Sequence, residues 1–383
     1  VSEQPLRALR IYHSGVVRAW RERDQQLRAN GVDVTLVAPR RWNEGGRDVA
    51  LDAGPGEQVR AARTFGRHPF RFAYDPVALW RALHSGPFDV LDIHEEPASL
   101  ATFEVLLLAR LAGVRAPVCL YSAQNLPKRY PPPFRWFERR ALRTAAAIHT
   151  CNDAAGDIMR AKGFSGRVRN LGLGVGPDHV AAETGAGRGA GPLQLGFVGR
   201  LTEQKGVEQL VRAVAAVDGV HLRIVGDGPR RAEVASFVAE LGVTDRVELL
   251  PHRPADELPD LYRSIEVLVA PSIDTPGVVE QFGRVVVEAE ACGAAALVSD
   301  SGSLPWVGGD AAVVVPQGDV DALAAAIRRL RDDPSEVARL RKSAPASAAR
   351  FSWSSIAEQQ AELYRTMLRD DAGTTAVAVG APA

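Results

Sequence analysis

Two cations, Arg200 and Lys205, stand five positions apart in Gly196-Phe197-Val198-Gly199-Arg200-Leu201-Thr202-Glu203-Gln204-Lys205-Gly206. The segment reads as a strand ending at Gly199, a loop that carries both cations, and a helix beginning near Gly206. A helix N-terminus has free N–H groups and partial positive charge, which suit a phosphate. The Arg200 guanidinium can grip phosphate as a fork, and the Lys205 ammonium adds a point charge. An ordinary surface pair on a strand–helix loop is the alternative. Further on, Glu280 and Glu288 lie eight positions apart in Val279-Glu280-Gln281-Phe282-Gly283-Arg284-Val285-Val286-Val287-Glu288-Ala289-Glu290-Ala291-Cys292-Gly293. Pro271, Asp274, Pro276 and Gly277 mark a loop, and Gln281 onward reads as a buried helix closed by Gly293. Glu280 then sits at the helix start, with Glu288 two turns on along nearly the same face. Carboxylates on one line suit a polyol, one gripping sugar hydroxyls and the other a ribose. A plain cap at Glu280 and a solvated Glu288 are the alternatives. The second is weakened by Val285, Val286, Val287, Ala289 and Ala291, since an unpaired buried carboxylate is costly.

The elements that must position these residues follow a strand–helix rhythm. In the N-terminal half, strands are expected at Leu6–His13, Asp33–Pro39, Arg60–Phe65, Phe88–His94, Pro117–Ser122, Ala145–Cys151 and Val168–Gly172. Helices are expected between them at Val17–Asn30, Pro76–His84, Ser99–Ala112 and Ala154–Lys162. The glycine-rich stretch 174–192 breaks the rhythm and reads as a linker. A second series has strands at Leu193–Val198, His221–Val225, Val247–Leu250, Val267–Ala270, Ala295–Ser299 and Ala312–Val315. Its helices start at Val207, Arg230, Glu257, Gln281, Asp321 and Ser335. This pattern predicts an α/β chain of two Rossmann-like, doubly wound parallel-sheet domains, 1–173 and 193–350. Ligands sit beyond the carboxyl ends of such strands, so the two domains are expected to face a ligand cleft. The patternless stretch 370–383 is expected to be disordered.

The chain has 383 residues, 46% of them hydrophobic and 24% charged, which excludes wholesale disorder. Net charge is zero, yet residues 1–190 hold 27 Lys and Arg against 19 Asp and Glu, and the remainder holds the reverse. The acidic C-terminal half disfavours nucleic acid, whose phosphates need clustered cations. Cys119, Cys151 and Cys292 are too scattered for a disulfide framework or a zinc site. No apolar run is long enough to span a membrane, and Val1-Ser2-Glu3-Gln4-Pro5 has no secretory pattern. A cytoplasmic protein is expected.

Gly-Arg-Leu-x-x-x-Lys-Gly from Gly199, then Ile224-Val225-Gly226-Asp227-Gly228-Pro229, then Glu280-x7-Glu288, occur in that order. Pro271-Ser272 stands before the third motif and Ser301-Gly302-Ser303 after it. This series resembles the family 4 retaining glycosyltransferases of the GT-B fold, across the whole C-terminal domain. Phe351-Ser352-Trp353 and the following helix through Tyr364 are similar to the family's final helix. The resemblance implies that residues 351–369 cross back to the N-terminal domain. It also implies a nucleotide-sugar donor with its diphosphate at Arg200 and Lys205 and its ribose at Glu288. Glu280 would contact the donor sugar, with the backbone of Gln281, Phe282 and Gly283 close by. Gly15 matches the family's glycine loop, where a side chain would block the diphosphate; a plain turn glycine is the alternative. Transfer through an oxocarbenium-like state loads charge on the leaving group, which placed cations stabilise. Neither a metal nor a cofactor is expected, and Asp319-Val320-Asp321 reads as a helix cap.

The chain departs from the family pattern in two places. Relatives often carry a histidine after the strand matching Pro117–Ser122, where this chain has Ala123-Gln124-Asn125. Gln124, Asn125 and His94 from the neighbouring strand end are the acceptor-side candidates, although a lone strand-end histidine is more often structural. Pro305-Trp306 stands where relatives have Pro-Glu, so the nucleotide base is left open. The acceptor expected is a sugar, a lipid or another small molecule. Cations and aromatics between 128 and 143 would allow a peripheral contact with the inner membrane surface, against the alternative of a solvated helix with its rings in the core. A nucleotide-sugar epimerase and a non-catalytic sugar-nucleotide binder are the competing functions.

Overall fold

The computed structural model describes residues 4–44, 46–176, 179 and 191–379. The chain divides into two compact units, residues 1–172 with 353–383 and residues 173–352. In the first unit, β1 (Leu6–Ile11), β2 (Val32–Pro39), β3 (Arg41–Glu44), β4 (Arg47–Ala50) and β5 (Val59–Ala62) come first. Then follow β6 (Thr64–Phe65), β7 (Ala73–Tyr74), β8 (Val90–Ile93), β9 (Val118–Ser122), β10 (Ala145–Thr150) and β11 (Arg167–Asn170). Seven of them form one sheet in the order β11-β10-β9-β8-β1-β2-β5, parallel throughout. Helices α1 (Arg18–Ala29), α2 (Pro76–Leu83), α3 (Leu100–Leu111), α4 (Phe134–Thr144) and α5 (Asp153–Ala161) connect these strands. Near-continuous burial along β8 and β10 is what a sheet covered on both faces requires.

The second unit repeats the plan. Its strands are β12 (Leu193–Val198), β13 (Val220–Val225), β14 (Val247–Leu250), β15 (Val267–Ala270), β16 (Ala295–Ser299) and β17 (Ala312–Val315). They form a parallel sheet in the order β14-β13-β12-β15-β16-β17. Order reverses at β12 and β15, the switch point where doubly wound sheets take ligands. Helices α6 (Val207–Ala215), α7 (Arg231–Glu240), α8 (Leu258–Arg263), α9 (Arg284–Ala291), α10 (Leu304–Gly308), α11 (Val320–Asp332) and α12 (Pro334–Ala349) cover it. Asp319 caps α11 by accepting from the Ala322 N–H, as its sequence position suggested.

Three expectations are corrected. The linker predicted from 174 is taken up at its start by the second unit: buried Val175 donates its N–H to the Phe351 carbonyl, and the His179 carbonyl accepts from the Cys292 thiol. Most of 177–190 lies outside the described residues. Helix α13 runs from Trp353 to Val379, so the stretch from Asp370 is helical as far as Val379, and 380–383 lie outside the described residues. Alanines at 372, 376 and 378 favour that continuation. The helix expected from Gln281 begins only at Arg284.

Helix α13 belongs to the first unit. Its Ala357, Ala361, Leu363, Tyr364 and Met367 share a buried cluster with Ala8, Leu27, Val32, Val34, Val90, Cys119 and Ala147. A polar network is sealed beneath it. Buried Asp92 accepts from Arg10 Nε at 2.8 Å, Tyr364 hydroxyl at 2.7 Å and Gln360 Nε2 at 3.0 Å. Arg10 also pairs with Asp24, and Arg23 donates to Gln360. Arg10 thus meets two carboxylates in the dry interior while Arg23 is held by Gln360, and such pairing is the condition for tolerating buried charge.

Candidate functional site

The candidates of the second unit lie in the loops after β12 and β15 and in α9. After β12, the Gly199 N–H donates to the Val225 carbonyl at 3.0 Å and the Leu201 N–H to that of Asp227 at 2.9 Å. The loops after β12 and β13 therefore lie backbone to backbone. A Cβ on Gly228 would come 2.3 Å from the Leu201 carbonyl oxygen, so Gly226-Asp227-Gly228 serves this close approach. Arg200 is exposed, and its guanidinium makes no hydrogen bond or ion pair among the described residues.

Lys205 ends a short 3-10 turn, and Gly206 begins α6 with φ of 64°. That left-handed conformation is open to glycine, and a Cβ there would lie 2.0 Å from the Pro271 carbonyl oxygen. The start of α6 is thereby pressed against the chain leaving β15. Lys205 Nζ consequently reaches Glu280 Oε2 at 2.5 Å, and the Ser272 hydroxyl donates to the same oxygen at 2.9 Å. The backbone of Glu280 is held by the loop after β16. Gly302, with φ of 50°, would place a Cβ 2.0 Å from the Glu280 carbonyl oxygen. Lys205 from the connection after β12 and Ser272 from the connection after β15 converge on the Glu280 carboxylate, which is 15% exposed.

Glu280 and Glu288 are not two points on one helical face. Phe282 is buried against Phe351 at 5.2 Å and lies 6.1 Å from Trp306. Anchoring that ring, with Gly283 at φ of 85° behind it, delays α9 to Arg284 and leaves Glu280 in a loop. Gln281 is exposed, and Gly283 fits tightly against Leu304. Glu288 lies inside α9 with a side chain 6% exposed, paired with Arg284 Nε at 2.8 Å. The Tyr262 hydroxyl donates to its other oxygen at 2.8 Å. Glu288 is neither solvated nor unpaired.

The first unit's candidates fare differently. His94 is buried, stacked on Tyr121 at 3.9 Å and close to Arg10 Nη2 at 3.3 Å. Burial and the neighbouring His149, Arg23 and Arg10 charges hold its pKa well below the ordinary histidine range. It is a neutral core residue and does not reach into a site. Gln124 is also buried: its amide donates to the Leu126 carbonyl at 2.9 Å, and its oxygen accepts from Lys162 at 3.1 Å. Asn125 is half-buried. A Cβ on Gly15 would meet Leu36 Cδ2 at 3.1 Å, so this glycine has a packing reason inside its own unit.

Asp92, His94 and His149 bring ligand atoms within 4.8 Å of one another, the one such group among the described residues. Arg10, Tyr364 and Gln360 occupy only Oδ2 of Asp92, while Oδ1 lies 3.6 Å from His149 Nε2; the positive charges of Arg10 and Arg23 beside the group disfavour a bound cation.

One constellation escaped the sequence reading. His13 follows β1, and Glu95 clamps it through both its backbone N–H at 2.8 Å and its ring Nδ1 at 2.5 Å. The Tyr74 hydroxyl donates to Glu95 at 2.8 Å, and the Ser14 hydroxyl to Glu44 at 2.9 Å. A usable signal existed: β1 and β8 are central neighbouring strands, and His13 and Glu95 each follow their strand by two residues.

Comparisons with known proteins bear on the family and the fold. Residues 186–347 match the model of glycosyl transferases group 1, and residues 14–174 match that of a glycosyl transferase 4-like domain. A 2-deoxystreptamine glucosyltransferase of Streptomyces kanamyceticus is 31% identical over 66% of this chain and 70% of its own length. A D-inositol 3-phosphate glycosyltransferase of Rhodococcus erythropolis is 32% identical over 49% of this chain and 44% of its own. Among solved structures, sucrose-phosphate synthase of Thermosynechococcus elongatus has a TM-score of 0.70 at 20% identity, covering 95% of this chain and 100% of that one. HepE of Anabaena, in complex with UDP, also reaches 0.70, at 17% identity over 94% and 100%. Fold and site together define a GT-B enzyme. The chain belongs to the family 4 glycosyltransferases, and its activity is glycosyl transfer.

Proposed function

We propose that the protein is a retaining glycosyltransferase that moves a sugar from a nucleoside-diphosphate donor to a hydroxyl of a polyol acceptor. The observation that carries this reading is the convergence of Lys205, Ser272 and Glu280 at the switch point of the second sheet, beside a strand end bearing the unengaged Arg200. Arg200 and Lys205 take the diphosphate, and Lys205 exchanges part of its contact with Glu280 for the phosphate oxygens. Glu280 is then released to the donor sugar's hydroxyls. Glu288, oriented by Arg284 and Tyr262, takes the ribose. As the anomeric carbon–oxygen bond breaks, the leaving diphosphate gains charge that the two cations meet without reorganising. The acceptor oxygen bonds the same face, and its proton passes to the departing phosphate. A UDP donor is supported by the UDP found with HepE. A cyclitol acceptor is supported by the acceptors named for the two relatives, 2-deoxystreptamine and D-inositol 3-phosphate.

The test is turnover with UDP-sugars across a polyol panel. Lys205→Ala and Arg200→Ala are each expected to lower kcat by on the order of 10²-fold, with melting temperatures near the parent's. Added chelator is expected to leave turnover unchanged. Glu288→Gln is expected to weaken UDP binding in calorimetry. Full turnover in both cation variants would end this reading.

We also infer a peripheral membrane contact through 128–143. Trp136 is 56% exposed, Phe103 of α3 lies 5.1 Å from it, and Leu107 and Leu111 continue that face at 44% and 64% exposure. Exposed Arg135, Arg139 and Arg140 flank the patch. Aromatic and apolar groups rimmed by arginines match an anionic lipid surface. No helix of the described residues is long and apolar enough to cross a membrane.

A further inference from the structure

His13 lies in the turn His13–Val16 at the carboxyl edge of the first unit's sheet. Its side chain is 20% exposed, while the Glu95 side chain behind it is 1% exposed. Trp42 at 4.8 Å and Phe72 at 5.6 Å, between ring centroids, fix the plane of the imidazole. Glu95 spends one oxygen on ring Nδ1 and the other on the His13 backbone N–H and the Tyr74 hydroxyl. The opposite ring nitrogen, Nε2, has no hydrogen-bond partner among the described residues and is not sealed from solvent. A carboxylate that settles one imidazole nitrogen leaves the other oriented for a ligand.

We propose that His13, clamped by Glu95, is the residue of the first unit that binds the acceptor, its Nε2 hydrogen-bonding a hydroxyl oxygen of a polyol and so selecting the hydroxyl presented for transfer. The inference rests on the glycosyl-transfer reading above and supplies its acceptor side. His94, the histidine that sequence position favoured, is excluded by its burial and its stacking on Tyr121. No proton leaves His13 in the reaction; the imidazole binds and orients.

The charges around the ring set its protonation. Burial disfavours the imidazolium, but Glu95 and Glu96 after β8 and Glu44 on β3 together outweigh it, and the pKa of His13 is raised. Tyr12, edge-on to the ring at 5.7 Å, and Tyr74, whose hydroxyl donates to Glu95, are held un-ionised by burial, and His94 is held neutral. Nε2 therefore carries a proton above the ordinary histidine range and donates it. Acceptor affinity is high at low pH and falls as pH rises through the raised pKa.

Calorimetry on the full chain saturated with UDP, using 2-deoxystreptamine, myo-inositol and glucose as probes, tests the assignment. His13→Ala is expected to weaken the best-bound polyol at least about tenfold at pH 6.5, with UDP affinity unchanged. His13→Gln keeps an N–H donor and is expected to recover part of that affinity with no pH dependence in this range. Glu95→Gln is expected to move the fall in affinity to lower pH, a shift that a merely structural role would not produce. Binding of none of the three polyols, equal affinity in His13→Ala, or an unmoved pH midpoint in Glu95→Gln would overturn the proposal. Failure of the parent protein to bind UDP is a separate titration, and it would remove the donor reading instead.

Discussion

Glu290 shows what a single side chain can cost this fold. It has no exposed surface, and neither carboxyl oxygen has a hydrogen-bond partner among the described residues. Burial pushes its pKa up to about 9, against the smaller pull of Ser347 and Arg350. The native state therefore holds a proton that the unfolded chain releases above its ordinary value of 4.5. Stability falls as pH rises from that value toward the folded pKa. Glu290→Gln keeps the shape and removes the titration. It is expected to raise stability at pH 7 by about 1–3 kcal/mol and to flatten the pH dependence between 5 and 8.5; coincident urea midpoints for both proteins across that range would disprove it. At this scale the sequence was legible where a motif is local. Arg200 with Lys205, and Glu280 with Glu288, are each separated by a few positions; the structure joins Lys205 to Glu280 and pairs Glu288 with Arg284. His13 and Glu95 are 82 positions apart and meet only because β1 pairs with β8, so no spacing announces them. His94 drew attention by position alone, and the tertiary packing of Tyr12, Tyr121 and His149 decided its role.

Elements were legible in proportion to how strongly burial and glycine punctuation agree. Bounds for β12, β14, β15, β16 and β17 coincide with the expected strands, and β15, buried along its whole length, writes itself as uninterrupted Val-Leu-Val-Ala. The hairpin β3–β4 hid behind polar residues with only Trp42 buried between them. The start of α9 was misplaced because the stop at Phe282 comes from Phe351, nearly seventy residues away. Helix α4 was visible as a charged aromatic stretch, yet which rings turn inward was not. Phe137 stacks on Phe103 at 4.3 Å, whereas Trp136 stays out, so the expected inward packing of the aromatics holds for one ring and not the other. That exposed face makes a prediction of its own. At about 1 kcal/mol per basic residue near an anionic surface, reversing Arg135, Arg139 and Arg140 together should abolish co-sedimentation with phosphatidylserine vesicles while leaving helix content by circular dichroism intact. Sedimentation equal to the parent's would withdraw the membrane contact.

The chain passes between the units twice, at 172/173 and at 352/353, and the second passage returns α13 to the first unit. The resemblance of Phe351-Ser352-Trp353 to the family's final helix anticipated this; periodicity alone could not assign the helix to a unit. Its contribution is large. Trp353, Ile356, Leu363, Tyr364 and Met367 are all buried, and large apolar side chains contribute roughly 1.5–3 kcal/mol each. Their sum is comparable to the whole stability of a domain, about 5–15 kcal/mol. Losing α13 would also uncover Asp92 and Arg10, whose charges are tolerated only while Gln360 and Tyr364 close the network. A chain ended after Ser352 should therefore lose its first unit and keep its second. Trp306 is the second unit's one tryptophan among the 6 in the sequence, so its fluorescence reports on that unit in a fragment of residues 173–352. That fragment is expected to melt cooperatively and to bind UDP with an affinity close to the full chain's. A fragment of residues 1–172 is expected to stay unfolded until a peptide of 353–379 is added. Cooperative folding of 1–172 without the peptide would refute the assignment of α13 as part of that unit's core.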